Sequence, residues 1–369
     1  MKCIQKSLKR LVPAYPLENL CTPSQTLFID IETTGLYVRS SNLYMIGCAY
    51  LDTDSRPCTW RCIQWFAENY EDEANVLEAF AAFADCYRYL IHFNGNQFDI
   101  PYLEKKLEQH RISFSFNDFE GIDIYRRIAP YKAFLKLPNC KQKTIESFLN
   151  TSREDKYSGR ELIDIYHDYV LDGSPEKEHL LLLHNEEDIR GMFEIIAALA
   201  VPDLFNLPLK VTKVQANHYK DMNQAQCSEI IMNLRLPTAL PGSISYSAHG
   251  CYFSGSGPDG KLRVPIYEEE MKYFYANYKD YYYLPKEDMA IHKSVAAFVD
   301  RGYRKPATAR NCYTRKVSSY LPQGELIFTP FFKRSYDDKE LFFELTDEFK
   351  TRREFFNVYA HHILEMMVS

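Results

Sequence analysis

Hydrophobic and polar positions near the start of the chain follow a strand-like pattern. Three short apolar runs, LFIDIE (27–32), LYMIGCAYL (43–51) and TWRCIQWF (59–66), are separated by polar turns, which predicts three strands. The segment 71–90 then places apolar residues at helical spacing and predicts an amphipathic helix. IHFN reads as a short strand, and FDIPYLEKKLEQH as a helix with proline in its first turn.

Helical periodicity dominates the next hundred residues. KTIESFL, SGRELIDIYHDYVL and EEDIRGMFEIIAALA each predict a helix. Strands followed by helices in this order predict an α/β fold, in which a mixed sheet is flanked by helices. Prolines interrupt the pattern in VPDLFNLPLK (201–210). We therefore expect an N-terminal extension over 1–26, a first domain over 27–200 and a C-terminal accessory domain over 201–369.

The C-terminal part has a different character, and its sequence predicts an α+β domain of unrecognised type. SISYSAHGCYFSGSGPDGKLRVPIY indicates strands around a Gly-Ser-Gly-Pro-Asp-Gly turn, and a tyrosine-crowded stretch follows it. EFFNVYAHHILEMM predicts a terminal helix on which the adjacent His361 and His362 diverge.

Composition is that of an ordinary soluble globular protein, with 46% hydrophobic and 25% charged residues among 369. The formal net charge of −6 supplies no overall attraction for nucleic acid, so any polyanion contact must use local patches. The 10 cysteines are scattered, as in proteins with reduced thiols. No signal peptide or membrane-spanning run is evident, and we expect a cytoplasmic protein without a membrane partner.

The first strand carries two carboxylates in an otherwise apolar run. Asp30 and Glu32 share one face, while Ile29 and Ile31 share the other. Like charges at this spacing repel each other and lose hydration. A divalent cation between them resolves the conflict, because Mg²⁺ prefers carboxylate oxygens. A pair of ions needs about four acidic ligands, so partners are expected elsewhere in the chain.

Two later segments supply candidate partners. Asp99 lies at the junction of a short strand and a helix, where it either joins the site or caps the helix. His184 and Asp188 are four residues apart and share a helical face. They either face the site or belong to a solvated acidic surface with Glu186 and Glu187.

These three segments together resemble a known family. FIDIETTGL, HFNGNQFDIPYL and HNEED are similar to the three exonuclease motifs of the DEDD superfamily, whose members have a ribonuclease-H-like fold. Within it the chain most resembles the YprB-type ribonuclease-H-like domain, and the proofreading exonucleases of DNA polymerases are more distant relatives. The resemblance covers residues 27–200 and implies a ribonuclease-H-like mixed sheet.

The resemblance also implies roles for individual residues. The ligands of two Mg²⁺ or Mn²⁺ ions would be Asp30, Glu32, Asp99 and Asp188. The residues near the terminal nucleotide would be Thr33, Thr34, Gly35, Leu36, Asn94 and Phe98. His184 has the spacing of the superfamily's tyrosine branch with the residue of its histidine branch, and its imidazole would take a proton from the attacking water.

The implied activity is metal-dependent hydrolysis of phosphodiester bonds in DNA or RNA. A 3′–5′ exonuclease acting by a two-metal mechanism on single-stranded ends is what the resemblance favours. The alternative is a catalytically weak or inactive nucleic-acid-binding or assembly protein that keeps the fold. A phosphatase acting on small nucleotides is a third reading.

A basic stretch in the C-terminal part is a candidate nucleic-acid surface. Residues 292–316 carry seven Lys or Arg against one acid, interleaved with tyrosines. The candidate contacts are Arg301, Arg304, Lys305, Arg310, Arg315 and Lys316. The competing interpretation is a solvated face on which these cations pair with acids such as Asp337, Asp338 and Glu340.

Overall fold

The computed structural model describes residues 1–8, 11–151, 154 and 157–369. The chain divides into two compact units, Met1–Pro202 and Asp203–Ser369. Among the described residues, no helix combines the length and the apolar character that crossing a bilayer requires.

The first unit is built on a six-stranded mixed sheet. Its strands are β1 (Lys2–Ser7), β2 (Thr26–Thr33), β3 (Leu43–Asp52), β4 (Thr59–Phe66), β5 (Tyr89–His92) and β6 (Glu120–Asp123). They lie in the order β1-β4-β3-β2-β5-β6. Neighbours from β1 to β2 are antiparallel, whereas β2, β5 and β6 are parallel. This is the mixed sheet that the sequence pattern predicts.

Helices flank this sheet. They are α1 (Glu73–Ala84), α2 (Asp99–His110), α3 (Ile124–Ile128), α4 (Gln142–Phe148), α5 (Gly159–Asp172) and α6 (Pro175–Ile195); α7 (Ala200–Asn206) spans the division between units. Helix α6 starts earlier than periodicity predicted, because Ser174 caps its first turn and Pro175 occupies the first helical position. The segment that carries His184 is therefore helical throughout.

Strand β2 is packed on both faces. Leu27, Ile29 and Ile31 belong to the large apolar core that also contains residues of α1 and α2. On the opposite face Phe28 stacks on Phe193 of α6, with ring centroids 4.3 Å apart. Because side chains alternate along a strand, Asp30 and Glu32 share the Phe28 face and point toward α6.

The N-terminal segment differs from the prediction. Residues 1–26 were expected to form an extension, but β1 pairs antiparallel with β4 along its whole length, from Lys2 opposite Phe66 to Ser7 opposite Arg61. The pairing partner is more than fifty residues away in sequence, so local pattern could not reveal it. The segment adds an edge strand to the sheet.

The second unit is rich in sheet. Its long strands are β7 (Lys210–Lys220), β8 (Gln226–Ala248), β9 (Cys251–Phe274) and β13 (Tyr313–Gln323); β14 (Phe331–Phe332) and β15 (Leu341–Glu344) complete a six-stranded sheet in the order β14-β15-β13-β9-β8-β7. A separate three-stranded sheet has the order β11-β10-β12, from β10 (Tyr281–Leu284), β11 (Met289–His292) and β12 (Lys305–Pro306). The helices are α8 (Asp347–Thr351) and α9 (Arg353–Val368).

The turn in the hairpin of β8 and β9 is not where we predicted it. The chain reverses at His249 and Gly250, both with positive φ (51° and 74°), and the predicted Gly-Ser-Gly-Pro-Asp-Gly turn lies inside β9. There the ladder with β8 shifts register, first between Arg235 and Leu240 and again before Ile244. Small residues in the segment accommodate these bulges instead of forming a turn.

Candidate metal centre

The candidate centre lies where α6 packs on β2. Asp30 stands opposite Gly47 of β3, and Glu32 stands opposite Met45. An added Cβ at Gly47 would be only 1.9 Å from Oδ1 of Asn185 and 2.7 Å from Cδ1 of Ile189. A glycine at this position is therefore what lets α6 approach the strand that carries the acids.

Asn185 connects α6 to the first acid. Its Nδ2 donates to Oδ2 of Asp30 at 2.9 Å and to the backbone oxygen of Asp30 at 3.3 Å. Its Oδ1 accepts from Nε2 of Gln64 at 2.9 Å, and the same nitrogen of Gln64 donates to the backbone oxygen of Leu182. Because Oδ1 of Asn185 accepts from Gln64, the amide nitrogen of Asn185 must be the atom that faces Asp30.

His184 points at the acids rather than away from them. Its Nε2 lies 3.2 Å from Oδ2 of Asp188 and 3.6 Å from Oε1 of Glu32. One ligand atom from each of these three residues falls within 4.8 Å of the others. The hydroxyl of Tyr44 donates to Oε2 of Glu32 at 3.4 Å. The spacing of four residues therefore brings the imidazole to the same place as Asp188.

Asp99 reaches the same centre from α2. It is the first helical residue, and Phe98 occupies the cap position, so Asp99 is not the helix cap that we considered as an alternative. Burial raises the pKa of Asp99 to about 7, although backbone N–H groups of Asp99 and Ile31 oppose the shift. The neighbouring charges of Asp123 and Asp188 raise this pKa further. The bond from Ile31 ties the carboxylate to β2.

The acids repel one another. Burial raises the pKa of Asp30 well above its usual range, and the charges of Asp188, Glu32 and Asp99 add to that effect, while the hydrogen bond from Asn185 opposes it. Carboxylate oxygens that converge at such a cost fit a hard divalent cation, which would be held by Asp30, Glu32, Asp99 and Asp188. The donor chemistry of the cluster thus suits Mg²⁺ or Mn²⁺.

In the loop after β2, the threonine hydroxyl groups form hydrogen bonds with the backbone of the loop itself. The hydroxyl of Thr33 donates to the backbone oxygen of Gly35 at 3.0 Å, and Thr34 exchanges hydrogen bonds with the backbone of Asn42. Leu36 is 76% exposed, and Tyr37 beside it is 81% exposed. Of the predicted substrate contacts in this loop, Leu36 is therefore presented to solvent while both threonines hold the loop together.

The loop between β5 and α2 is anchored by two buried residues. The backbone N–H of Asn94, whose φ is +61°, donates to Oδ1 of Asp123 at 3.0 Å. Nδ1 of His92 accepts from the backbone N–H of Gly95 at 3.1 Å. Phe98 packs on Tyr102, with ring centroids 5.4 Å apart. These contacts fix the loop that leads into Asp99.

Sequence reasoning missed four residues that build the centre, namely Gly47, Asn185, His92 and Asp123. Gly47 had a signal, since an isolated glycine inside a strand pattern often marks a close approach. Asn185 lies inside the HNEED segment itself, but its contact with Asp30 spans 155 residues of sequence. Long-range contacts of this kind are not visible in local periodicity.

The basic stretch does not form one surface, which corrects the prediction. Its later members are paired with acids: Arg310 with Asp337 at 3.3 Å, Arg315 with Glu270 at 3.3 Å and Lys316 with Glu344 at 2.7 Å. Arg304 donates to the backbone oxygen of Ala296. No carboxylate of the described residues lies within 4.0 Å of the charged groups of Arg301 and Lys305. Strand pairing of β13 with β9 and β15 brings Glu270 to Arg315 and Glu344 to Lys316.

Comparison with known proteins supports the fold of the first unit. Residues 27–200 match the family model RNase_H_2, of the RNase_H superfamily. No curated protein matches the chain. The first domain is thus ribonuclease-H-like, with a mixed sheet and flanking helices, and a sheet-rich C-terminal part follows it.

Solved structures with partial similarity include E. coli exonuclease I. Its zinc-bound complex with single-stranded DNA is 12% identical, with 58% of this chain and 55% of that chain covered and a TM-score of 0.29. A complex of the E. coli enzyme with a dA16 oligonucleotide is 12% identical over 58% and 55%, with a TM-score of 0.28. A structure described as exonuclease I (apo) is 11% identical over 58% and 57%, with a TM-score of 0.29. The chain spans little more than half the length of these proteins.

Proposed function

We propose that this protein is a metal-dependent nuclease that removes nucleotides from the 3′ end of single-stranded DNA or RNA. The observation that carries the proposal is the cluster of Glu32, His184 and Asp188, whose ligand atoms lie within 4.8 Å of one another, with Asp30 and Asp99 near enough to feel their charge. Asp30 and Glu32 come from β2, Asp99 from the start of α2 and Asp188 from α6. Mutual repulsion and burial raise the proton affinity of Asp30 and Asp99, as expected for acids that await cations.

Each residue of the centre has a distinct task in this proposal. Two Mg²⁺ or Mn²⁺ ions, when bound, supply charge neutralisation at the phosphodiester and acidify water. Asn185 holds the carboxylate of Asp30 in one orientation through its 2.9 Å hydrogen bond. His184, with Nε2 directed at the cluster, accepts the proton of the attacking water. The exposed Leu36 contacts the terminal nucleotide.

The exonucleolytic outcome and the polarity rest on the resemblance of the three motifs to the DEDD superfamily. The acids themselves account for hydrolysis at any phosphodiester. The rival function is a nucleic-acid-binding or assembly protein that no longer cleaves. The complete set of four acids, together with an imidazole directed at them, favours the enzyme.

The test uses 5′-labelled single-stranded DNA and RNA oligomers with Mg²⁺ or Mn²⁺. We expect wild type to shorten them stepwise from the 3′ end, and Asp30→Asn and Asp99→Asn to lose at least about 100-fold in rate while binding is retained. Asp164→Asn, on the exposed side of α5, is the matched control and should keep the wild-type rate. A circular single strand separates exonuclease from endonuclease, because it offers no end.

The outcomes separate the two functions. If no substrate is shortened with either metal, while wild type still binds oligomers, the protein is the non-catalytic binder. If Asp164→Asn loses as much activity as Asp99→Asn, the cleavage does not depend on the centre, and the proposal fails.

A further inference from the structure

The three-stranded sheet of the second unit carries a face on which cations and aromatic rings alternate. We name it the β10 face and define it by Tyr282, Lys286, Lys293, Phe298, Arg301, Tyr303 and Arg304. We propose that the β10 face binds single-stranded nucleic acid, with its cations on phosphates and its exposed rings on unpaired bases. The inference deepens the proposed function, because it names a binding surface for the substrate class of that nuclease.

Cations of the β10 face are held against rings. The guanidinium carbon of Arg304 lies 4.9 Å from the ring centroid of Tyr282, and Nζ of Lys293 lies 5.7 Å from it. Nζ of Lys286 lies 4.5 Å from the ring centroid of Tyr303. Cation–π contacts restrain these long side chains without neutralising them, so their charge remains available to a ligand.

Among the described residues, several cations of the β10 face have no acidic partner, unlike the cations that follow them in the sequence. Within the described part of the chain, no carboxylate oxygen lies within 4.0 Å of the charged nitrogens of Lys286, Lys293 or Arg301. Asp300 uses its carboxylate to cap the backbone N–H of Gly302. The later cations of the same stretch, by contrast, are paired with acids on neighbouring strands. Attraction for a polyanion is therefore concentrated on the β10 face.

Exposed rings stand among these cations. Phe298, at the end of a 3-10 turn, is 92% exposed, and Tyr303 is 53% exposed. Arg304 donates to the backbone oxygen of Ala296 and so connects this turn to the residues before β12. Register places Tyr282 opposite Ile291 and Pro306, which brings both outer strands to the same ring. The rings and cations thus come from separate segments that the small sheet brings together.

The chemistry of the surface indicates its ligand. Phosphates attract unpaired cations through counterion release, and a ring with a free face can stack on any unpaired base. Double-stranded nucleic acid keeps its bases stacked on each other and cannot use Phe298 or Tyr303 in this way. An acidic protein would use the cations alone. The combination favours a single strand.

The experiment measures binding of a fluorescein-labelled dT20 oligomer to the full chain by anisotropy, in EDTA so that no cleavage occurs, between about 50 and 300 mM KCl. The first variant is Lys286→Gln/Lys293→Gln/Arg301→Gln. The matched control removes the same charge from nearby positions of the same unit: Arg310→Gln/Arg315→Gln/Lys316→Gln. Phe298→Ser tests stacking separately. Thermal melting verifies that each variant is folded.

We expect the first variant to raise Kd at least tenfold at 100 mM KCl and to lower the slope of log K against log salt by about 2, which is the value for three lost phosphate contacts on a single strand. The matched control should change Kd less than about twofold. Phe298→Ser should raise Kd roughly tenfold, as expected for one lost stacking contact. A duplex of the same sequence should bind more weakly than the single strand.

Equal weakening by both triple variants would attribute binding to overall charge and overturn the proposal. An unchanged Kd in the first variant would also overturn the proposal. Competition by polyglutamate that Phe298→Ser does not alter would indicate an acidic protein partner and would overturn it as well. Ultraviolet crosslinking of a bromouridine oligomer to wild type needs no variant, and the absence of crosslinks within 282–304 would contradict the inference. Because binding is measured without metal, its outcome is independent of whether the candidate centre cleaves.

Discussion

Replacing Gly47 by alanine adds a methyl group where α6 packs on β3. The new Cβ would be 1.9 Å from Oδ1 and 2.7 Å from Cγ of Asn185, and 2.7 Å from Cδ1 of Ile189. No real Cβ tolerates such distances, so Asn185 or the whole helix must move. Either movement separates the amide of Asn185 from the carboxylate of Asp30.

The loss in the free energy of unfolding follows from these contacts. Inserting a methyl group into a packed site costs about 1–3 kcal/mol. Loss of the hydrogen bond from Asn185 leaves the buried Asp30 carboxyl group without this partner and adds about 1–3 kcal/mol. We expect Gly47→Ala to lower the free energy of unfolding by about 3 kcal/mol, which for a unit of this size lowers Tm by about 6–12 °C.

The assay is urea unfolding followed by circular dichroism, together with the rate of oligomer shortening. Gly159→Ala, at the start of α5, is the control, because its added Cβ meets no atom within 4 Å. It should leave stability unchanged or raise it slightly. The double variant Gly47→Ala/Asn185→Ala removes the colliding atoms of Asn185 but not Cδ1 of Ile189, so Gly47→Ala should cost less stability in the Asn185→Ala background than in wild type.

A Gly47→Ala protein with the stability and activity of wild type would refute the reasoning, because α6 would then not depend on the missing side chain. Simple additivity in the double variant would also contradict it. In that case Gly47→Ala and Asn185→Ala would each lower stability independently, and not through a steric clash between the two side chains.

Three further predictions follow from the structure. Lys106 is buried and pairs with Glu73 at 2.9 Å, so Lys106→Met leaves that buried carboxylate, among the described residues, with only His110 and the backbone N–H of Leu43 as partners and should cost about 3 kcal/mol by urea unfolding. Burial raises the pKa of Asp99 from 3.8 to about 7, so the folded state holds this proton more tightly than the unfolded chain. The contribution of Asp99 to stability in EDTA, measured as the difference between wild type and Asp99→Asn, is therefore fully present below pH 4 and is lost, by up to about 4 kcal/mol, as pH rises through 7, with Mg²⁺ restoring it. Tyr37→Ser, at an 81% exposed position beside Leu36, should raise KM about tenfold and leave Tm unchanged.

Each of these has an internal comparison. Lys105→Met changes an exposed neighbour on the same helix and should cost less than about 0.5 kcal/mol; equal losses at both positions would disprove the role of the buried pair. Asp99→Asn should flatten the pH dependence in EDTA, and a persistent slope would assign it to another group. A lower Tm in Tyr37→Ser would mean that the ring supports the fold.

Local periodicity determined much of the first unit from the sequence alone. Alternation along β2 assigns Asp30 and Glu32 to one face and Ile29 and Ile31 to the other, because successive strand residues point in opposite directions. A separation of four residues places His184 and Asp188 on one side of a helix for an equally local reason. Strand and helix order also predicted a mixed sheet with flanking helices.

Tertiary structure decided what local pattern cannot encode. The pairing of β1 with β4, the contact of Asn185 with Asp30 and the turn at His249 all depend on segments that meet only after folding. The basic stretch is the clearest case: the sequence shows one run of charge, but the fold gives Arg310 and Lys316 acidic partners 27 and 28 residues away. Charge along a chain is a local property, whereas its neutralisation depends on which side chains the fold brings within reach.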